Sequence, residues 1–439
     1  MEQPLVITNR EELLFMLCEA AELEHMLLCE YLFAAFSLKS SVDEGLTADQ
    51  LSAVARWERL ITAVATQEML HLTLVTNLLT AIGGAPYLTR PNFPQRARYF
   101  PPGVQVALLP FGEHALRHFL YLERPEGMAL EDAPEFAVIG ALAAGPADDA
   151  LVPAAQDFTT VGHLYRGIEH GFAALVEKYG EQRLFIGPAA LQATAQQFGW
   201  PELIAVTDLA SATAAITTIV EEGEGARGDW TNAHYGTFLR VLREYTALTQ
   251  QDPRFEPARP VTAGVVRAPA DAAAVPVITD PTAVRVASVF NASYEVMLQV
   301  LSRLLGHTEE TEAEARTLSR TAVALMRAVI QPLGRLLTTL PLGAAAPGRT
   351  AGPSFEIYRT GYMLPHRQTA WVVLRERLDE IAAACAGVRV DGAPPPAIVH
   401  GAATLRALAA DLGAGLPGGA LPRAATTRAS AQTQAGEPK

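Results

Sequence analysis

Residues 13–39 read LLFMLCEAAELEHMLLCEYLFAAFSLK, a stretch that would be apolar on nearly every face of a helix. Only a helix in the interior of a bundle tolerates so few polar positions. Asn9 is a suitable N-cap for it, and the acidic residues that follow suit the positive end of the helix dipole. The stretch therefore predicts a long buried helix over residues 9–39 and an all-α bundle built around it.

The rest of the chain divides by composition into helices, loops and a boundary. Helices are predicted over residues 47–82, 113–124, 159–179, 203–222, 229–249, 281–305, 311–340 and 365–386. Proline and aromatic residues make 86–112 a long crossover loop or lid. We therefore expect a metal-binding bundle over 9–250, a linker at 251–280 and a C-terminal helical domain over 281–390. Residues 411–439 are predicted to be a disordered tail.

Charge and cysteine content exclude several classes of protein. The chain has 439 residues, a formal net charge of −13 and three cysteines without a CxxC pair. An acidic chain with no basic stripe is a poor partner for nucleic acid. No stretch approaches the length of a membrane span, and the N-terminus has no secretory pattern. These features predict no membrane partner and a cytoplasmic location, and they allow a homo-oligomer.

The sharpest local signal is QEMLH at residues 67–71, which sets Glu68 and His71 three residues apart. On a helix the two side chains share one face. A Glu-x-x-His pair that faces inward is the metal-ligand unit of ferritin-like bundles. The alternative is a core histidine bonded to a nearby glutamate. Because the surrounding run is mostly apolar, we favour the ligand interpretation.

The first helix carries acids that are costly to bury without a cation or a partner. Glu24 and Tyr31 are seven apart and share a face, whereas Glu30 is rotated off it by about 120°. We expect Glu24 to be a metal ligand and Tyr31 to be a nearby phenol. Glu30 would instead lie outside the metal ligands, supporting one of them, or at an interface between helices.

Two later stretches offer the remaining ligands. In TTVGHLYRGIEHGF, residues 159–172, we expect Glu169 to bind the metal, with His163 as its rival and Tyr165 nearby. In IVEEGEGARGDWTNAHYGTFL, residues 219–239, the candidates are Glu221, Glu222 or Glu224 together with His234. A continuous helix would separate Glu221 from His234 by about 20 Å, so the glycine-rich segment between them must bend.

Together, four helical segments each supply a carboxylate and two also supply a histidine. That is the inventory of a di-iron or di-manganese carboxylate protein, and such ligands suit iron or manganese better than zinc. The candidate metal ligands are Glu24, Glu68, His71, Glu169 or its rival His163, and His234 with one acid of residues 221–224. The expected cofactor is two iron ions, with manganese as the alternative. His114 and His118 are interpreted as residues of a surface helix.

The chain resembles the ferritin-like proteins related to iminophenyl-pyruvate dimer synthases, a family that includes the violacein and rebeccamycin enzymes. The resemblance rests on AAELEHMLLCEYLFAAFSLK, EMLHLTLVTNLLTAIGGAPYL, TTVGHLYRGIEHGF, IVEEGEGA, AHYGTFL and LFIGP, and on VASVFNASYEVMLQVLSRLL and TAGPSFE in the second half. It runs from about residue 10 to about residue 385. It implies a ferritin-like four-helix bundle and an attached helical domain. The metal ligands that it implies are Glu24, Glu68, His71, Glu169, Glu221 and His234.

The leading hypothesis is a non-haem di-iron redox enzyme that activates O₂ and acts on a small molecule, such as an amino-acid-derived imine of secondary metabolism. This would make it an oxidase, an oxygenase or an imine-coupling synthase. Tyr31 and Tyr165 are the expected catalytic residues, as donors of a proton or an electron. The alternative is a ferritin-like protein that binds or stores iron without small-molecule catalysis.

Overall fold

Helices make up nearly all of the regular structure in the computed structural model, which describes residues 4–94, 104–132, 153, 156–225, 229–268, 275–359 and 365–416. In chain order they are α1 (Arg10–Ser37), α2 (Ala48–Ala81), α3 (Glu113–Leu122), α4 (Val161–Tyr179), α5 (Glu181–Leu184), α6 (Ala195–Phe198), α7 (Leu209–Gly223), α8 (His234–Gln251), α9 (Pro281–Leu305), α10 (Glu312–Ala324), α11 (Gln331–Leu337), α12 (Arg367–Ala384) and α13 (Pro396–Ala414). Two strands, β1 (Val261–Thr262) and β2 (Thr350–Ala351), pair in parallel. The predicted all-α class is confirmed.

The two longest helices begin where the sequence places their caps. The side chain of Asn9 accepts a hydrogen bond from the backbone N–H of Glu12 at 3.0 Å. Thr47 and Gln50 form a capping box at the start of α2. Each cap satisfies backbone N–H groups that the first helical turn leaves unpaired. The beginnings of α1 and α2 are thus determined locally, before any tertiary packing.

The bundle helices pack around one shared interior. Helix α1 packs against α2 along their shared length and also against α4. Helix α3 packs against α8, and α2 also contacts α7 and α8. The predicted burial of α1 is confirmed, since from Ala20 to Phe36 only Leu32 is even partly exposed. Three acids of this helix, Glu22, Glu24 and Glu30, therefore lie inside the protein.

The second half packs on the same hydrophobic core. Helix α9 contacts α10, α11 and α12, and α11 also reaches α1. Buried apolar residues of both halves form one continuous cluster. Within the predicted linker, Arg259 donates hydrogen bonds to the backbone carbonyls of Phe36 and Leu38. The domain boundary stays a prediction, and residues 269–274 of that segment lie outside the described part.

Three local features differ from the sequence prediction. The predicted helix over 311–340 is interrupted by a π-helical turn, Leu325–Ile330. The turn lies just before Pro332, which has no N–H to continue the regular ladder. Helix α13 was not predicted, and it includes residues 411–414 of the predicted tail. Residues 417–439 lie outside the described part.

The crossover between α2 and α3 is without helix where it is described, over 86–94 and 104–112. Residues 95–103 of the predicted lid lie outside the described part. Arg90 is buried and donates to the hydroxyl of Tyr294 at 3.0 Å, so it ties this loop to α9. None of the described helices combines the length and apolar character needed to span a bilayer.

Candidate metal centre

The first group of ligand-type side chains joins α1 to α2. Nδ1 of His71 lies 3.1 Å from Oε2 of Glu68 and 3.5 Å from Oε2 of Glu24. All three side chains are at most 2% exposed. The Glu-x-x-His spacing holds Glu68 and His71 on one inward face, where they meet the acid from α1.

The second group shares Glu68 with the first. Nδ1 of His234, the first residue of α8, lies 3.0 Å from Oε1 of Glu68 and 3.4 Å from Oε1 of Glu123. Glu123 is the C-cap of α3 and is 3% exposed. The rings of His71 and His234 stack at 5.4 Å between centroids, with 27° between their planes. One carboxylate thus stands between two imidazoles, with a further carboxylate beyond each.

These two groups are complete sets of potential metal ligands. In each, three ligand atoms lie within 4.8 Å of one another. Oε1 of Glu68 and Nδ1 of His234 lie 3.0 Å apart without the geometry of a hydrogen bond, and Nε2 of His234 has no hydrogen-bond partner among the described residues. Unpaired buried polar atoms are costly, and a cation would satisfy them. Carboxylate and imidazole donors in this ratio fit iron or manganese.

A fourth carboxylate lies behind His71. Oε2 of Glu222, near the end of α7, is 3.1 Å from Nε2 of His71. A carboxylate on the far nitrogen of a ligand histidine fixes the orientation of the ring. Glu222 lies outside the two ligand groups, and with it the centre contains four glutamates and two histidines.

Both predicted catalytic tyrosines touch the centre. Oη of Tyr31 donates to Oε1 of Glu123 at 2.5 Å. Oη of Tyr165 donates to Oε1 of Glu24. Each phenol is completely buried, and burial with the nearby carboxylates raises the pKa of both well above the usual value. Each outer carboxylate thus has one protonated phenol beside it.

Protons and charges are shared unequally across the centre. Burial alone would lower the pKa of His234, but Glu68 and Glu123 outweigh it and raise that pKa to about 9. Burial would also raise the pKa of Glu68, yet the two histidines hold it well below its usual range. Burial, reinforced by Glu68, raises the pKa of Glu24 to about 8. Without a cation, the centre therefore keeps protons on the imidazoles and on Glu24 near neutral pH.

Two predicted ligands lie away from these groups. Glu169 is partly exposed on α4, one helical turn beyond Tyr165, a step of about 6 Å along the axis. Glu221 is exposed, because a rotation of about 100° separates it from the inward-facing Glu222. Their rivals, Glu224 and His163, are buried but also stand outside the two groups. The structure brings together Glu24, Glu68, His71 and His234, and it adds Glu123.

The surface interpretation of His118 is wrong. Its side chain is fully buried, with Nδ1 at 2.9 Å from Oδ1 of Asp132 and Nε2 at 3.4 Å from Oε1 of Glu30. Glu30 is likewise buried, and burial raises its pKa well above the usual value. Glu30 is therefore paired with a histidine of α3. Sequence spacing alone does not reveal this contact.

A cavity of about 500 Å³ lies between α4 and α7, and it is lined by none of the residues of the two ligand groups. Glu169, Glu221 and Glu224 line it, together with Arg166 and Trp230. A second cavity of about 550 Å³ meets it at Glu126 and Arg166 and is lined by His163 and His170. The acids that do not reach the two ligand groups thus form the wall of a space beside them.

Comparisons with known proteins agree with this geometry. The Ferritin-like family model matches residues 17–243. The chain is 28% identical over 420 residues to dichlorochromopyrrolate synthase of Lentzea aerocolonigenes, which covers 87% of this chain and 39% of that protein. It is also 28% identical over 367 residues to 2-imino-3-(indol-3-yl)propanoate dimerase of Chromobacterium violaceum, covering 80% and 34%. The chain thus spans well under half the length of these relatives.

A solved structure of a ferritin-like protein from Caulobacter vibrioides covers 72% of this chain and 96% of its own, at 18% identity and a TM-score of 0.45. The matched family region includes both ligand groups and extends over more than half of the chain. The predicted resemblance is confirmed, and the chain belongs to the ferritin-like family.

Proposed function

We propose that this protein is a non-haem di-iron enzyme that oxidises a small molecule with O₂. The observation that carries the proposal is the position of Glu68, whose two carboxylate oxygens face His234 and His71 at 3.0 and 3.1 Å. A carboxylate shared by two ligand groups is how a bundle holds two metal ions side by side. Iron in this site would supply reversible one-electron chemistry towards O₂.

The ligands proposed for the two ions are five. Glu24, Glu68 and His71 would hold one ion, and Glu68, Glu123 and His234 the other. Glu222 would orient His71. This set retains four of the six residues predicted from sequence, and Glu123 enters from α3. Manganese remains the alternative metal, since it accepts the same donors.

The tyrosines would manage protons at the edge of the centre. Each phenol donates its proton to an outer carboxylate, Tyr31 to Glu123 and Tyr165 to Glu24. Burial keeps these hydrogen bonds away from water, and hydrogen bonds are stronger in such a low-dielectric interior than in water. We infer that they hold the carboxylates in position and return a proton when charge develops there.

The relatives suggest the class of substrate. The name of one relative states that it dimerises a 2-imino acid bearing an indole, and the name of the other states that it makes a dichlorinated chromopyrrolate. We infer that this chain acts on an aromatic, amino-acid-derived imine. The cavity beside the centre is of the size usual for small-molecule sites, about 300–1,000 Å³. A cytoplasmic location is part of the proposal, since three free thiols suit a reducing compartment.

Anaerobic titration with ferrous iron tests the centre directly. We expect two iron ions per chain in the natural protein and about one or none in Glu68→Gln, because both groups lose an anionic ligand. Glu169→Gln is the matched control, since that acid lies outside both groups, and it should retain two. Equal iron content in all three proteins would refute the proposed ligands.

Oxygen consumption then separates catalysis from storage. We expect the iron-loaded protein to consume O₂ faster when an aromatic imino acid, generated in place from the amino acid, is present. The storage alternative predicts uptake of many irons per chain and a large cage by light scattering. Uptake of many irons and a large cage, together with no effect of the imine on O₂ consumption, would refute the enzymatic proposal in favour of storage.

A further inference from the structure

The cavity between α4 and α7 is lined by the chain segment that also carries Glu222. Glu224 lines it and lies two residues after Glu222, which contacts His71. Gly162 of α4 permits this arrangement, since a Cβ there would stand 1.9 Å from the Glu224 carboxylate. A molecule in this space would therefore lie against the chain segment that supports the centre.

Three polar atoms of the residues that line this cavity are buried without a hydrogen bond of normal geometry. They are two acceptors, Oε1 of Glu224 and Oε2 of Glu126, and one donor, Nε of Arg166. Glu224 is only 8% exposed, so little water reaches its carboxylate. Leaving such atoms unpaired is unfavourable. A ligand with one acceptor and one donor would satisfy Arg166 and one of the two carboxylates.

The existing partner of Arg166 is one that a ligand can displace. Its guanidinium pairs with Glu126, and the two side chains are 39% and 26% exposed. Ion pairs this open to water contribute only about 0–1 kcal/mol. A ligand carboxylate, able to accept two parallel hydrogen bonds from the guanidinium, is a stronger partner for it.

The charge of the wall determines what kind of ligand fits. Arg166 is the one arginine or lysine among the described lining residues, whereas Glu126, Glu169, Glu221 and Glu224 are all acidic. A simple anion would be repelled by so many carboxylates. A ligand with both a carboxylate and a cationic nitrogen matches both signs. Trp230 adds an aromatic wall, which favours an aromatic side chain.

We propose that this cavity binds the substrate as a zwitterion, with its carboxylate on Arg166, its cationic nitrogen on Glu224 and its ring beside Trp230. The ligand class is an aromatic α-amino or α-imino acid. The inference rests on the proposed function, because it assigns the substrate pocket of the same centre. Arg166 and Glu224 are the residues that would determine specificity.

Equilibrium dialysis with three indole compounds tests the assignment without turnover. The probes are L-tryptophan, which carries both charges, indole-3-propionate, which has only the carboxylate, and tryptamine, which has only the amine. We expect L-tryptophan to bind about 10- to 100-fold more tightly than either single-charge probe, the loss expected for one charge-assisted hydrogen bond. Equal binding of all three would overturn the proposal.

Variants assign each charge to a residue. Arg166→Gln should weaken L-tryptophan about 10- to 100-fold and leave tryptamine unchanged, whereas Glu224→Gln should weaken tryptamine. Arg117→Gln is the matched control, because Arg117 is an exposed arginine paired only with Glu113, and it should change nothing. Arg166→Lys keeps the charge but not the Nε donor, so it should give intermediate binding. Unaltered binding in Arg166→Gln would refute the assignment.

The outcome can be separated from that of the metal proposal. Each variant is first checked for folding by circular dichroism and for iron content. If the protein binds two irons per chain but does not bind L-tryptophan selectively, the proposed substrate pocket is refuted and the proposed metal centre is not. If the protein binds L-tryptophan selectively but takes up no iron, the metal centre is refuted and the pocket is not.

Discussion

Replacing Glu24 by glutamine should change how the stability of the metal-free protein depends on pH. Burial and the neighbouring Glu68 raise the pKa of Glu24 from 4.5 to about 8. Between these pH values the folded protein holds one proton more than the unfolded chain. Its free energy of unfolding must therefore fall as pH rises, by about 1.4 kcal/mol per pH unit for this group.

From pH 5 to pH 8 the loss due to Glu24 amounts to about 4 kcal/mol. This stability is fully present below pH 4.5 and is gone once the pH passes about 8. The glutamine of Glu24→Gln cannot ionise, so the variant should escape the loss. We expect the variant to be about 4 kcal/mol more stable than the natural protein at pH 8, relative to their difference at pH 5.

Urea unfolding in the presence of a chelator measures this difference at pH 5, 6, 7 and 8. Comparing the two proteins cancels the titration of groups that do not contact Glu24, such as Glu224, whose pKa burial raises to about 7. Glu169→Gln serves as the control and should follow the natural protein. Parallel stability curves for Glu24→Gln and the natural protein would refute the reasoning. Added ferrous iron should restore the natural protein most strongly at high pH, because the cation replaces the protons.

Two further predictions concern the phenols and the packing between the halves. Tyr31→Phe removes the donor to Glu123, so it should slow substrate-dependent O₂ consumption about 100-fold while iron content by metal analysis stays at two; an unchanged rate would remove Tyr31 from the mechanism. In Gly334→Ala, the new Cβ would stand 2.6 Å from the ring of Phe36, which should cost about 1–3 kcal/mol in urea unfolding. Gly112→Ala has open space around it and should change little, and equal stability of the two variants would contradict tight packing there.

The bundle could be predicted because its determinants are local. The apolar run of α1, the cap at Asn9 and the capping residue Thr47 act within a few residues of the chain. The Glu68–His71 pair shares that property, since three residues on a helix fix which face both side chains occupy. Where a ligand belongs to such a motif, its number in the sequence largely determines its place in the fold.

Ligands outside a local motif could not be placed in this way. Thr231 stands three residues before His234, so the second Glu-x-x-His pair of the usual inventory is missing. In the proposed centre Glu123 takes the place of that acid, although it lies at the end of α3, more than a hundred residues away along the chain. Only the packing of α3 against α8 brings the two together. The sequence signal was an acid closing the apolar run HFLYLE, a pattern common at ordinary helix ends.

The acids outside the two ligand groups show how strongly helix rotation affects which side chain faces the centre. Glu221 and Glu222 are neighbours, yet only the second points at His71, because one residue turns a helix by about 100°. The acids that face the cavity remain partly solvated or meet Arg166, whereas those of the centre have lost water almost entirely. Lost hydration is what a bound metal can offset, and Glu24, Glu68 and Glu123 are at most 3% exposed. Glu30 is equally buried, but it lies against His118 and outside both ligand groups. The same reasoning that selects these three as ligands assigns the remaining acids to a ligand with a cationic nitrogen.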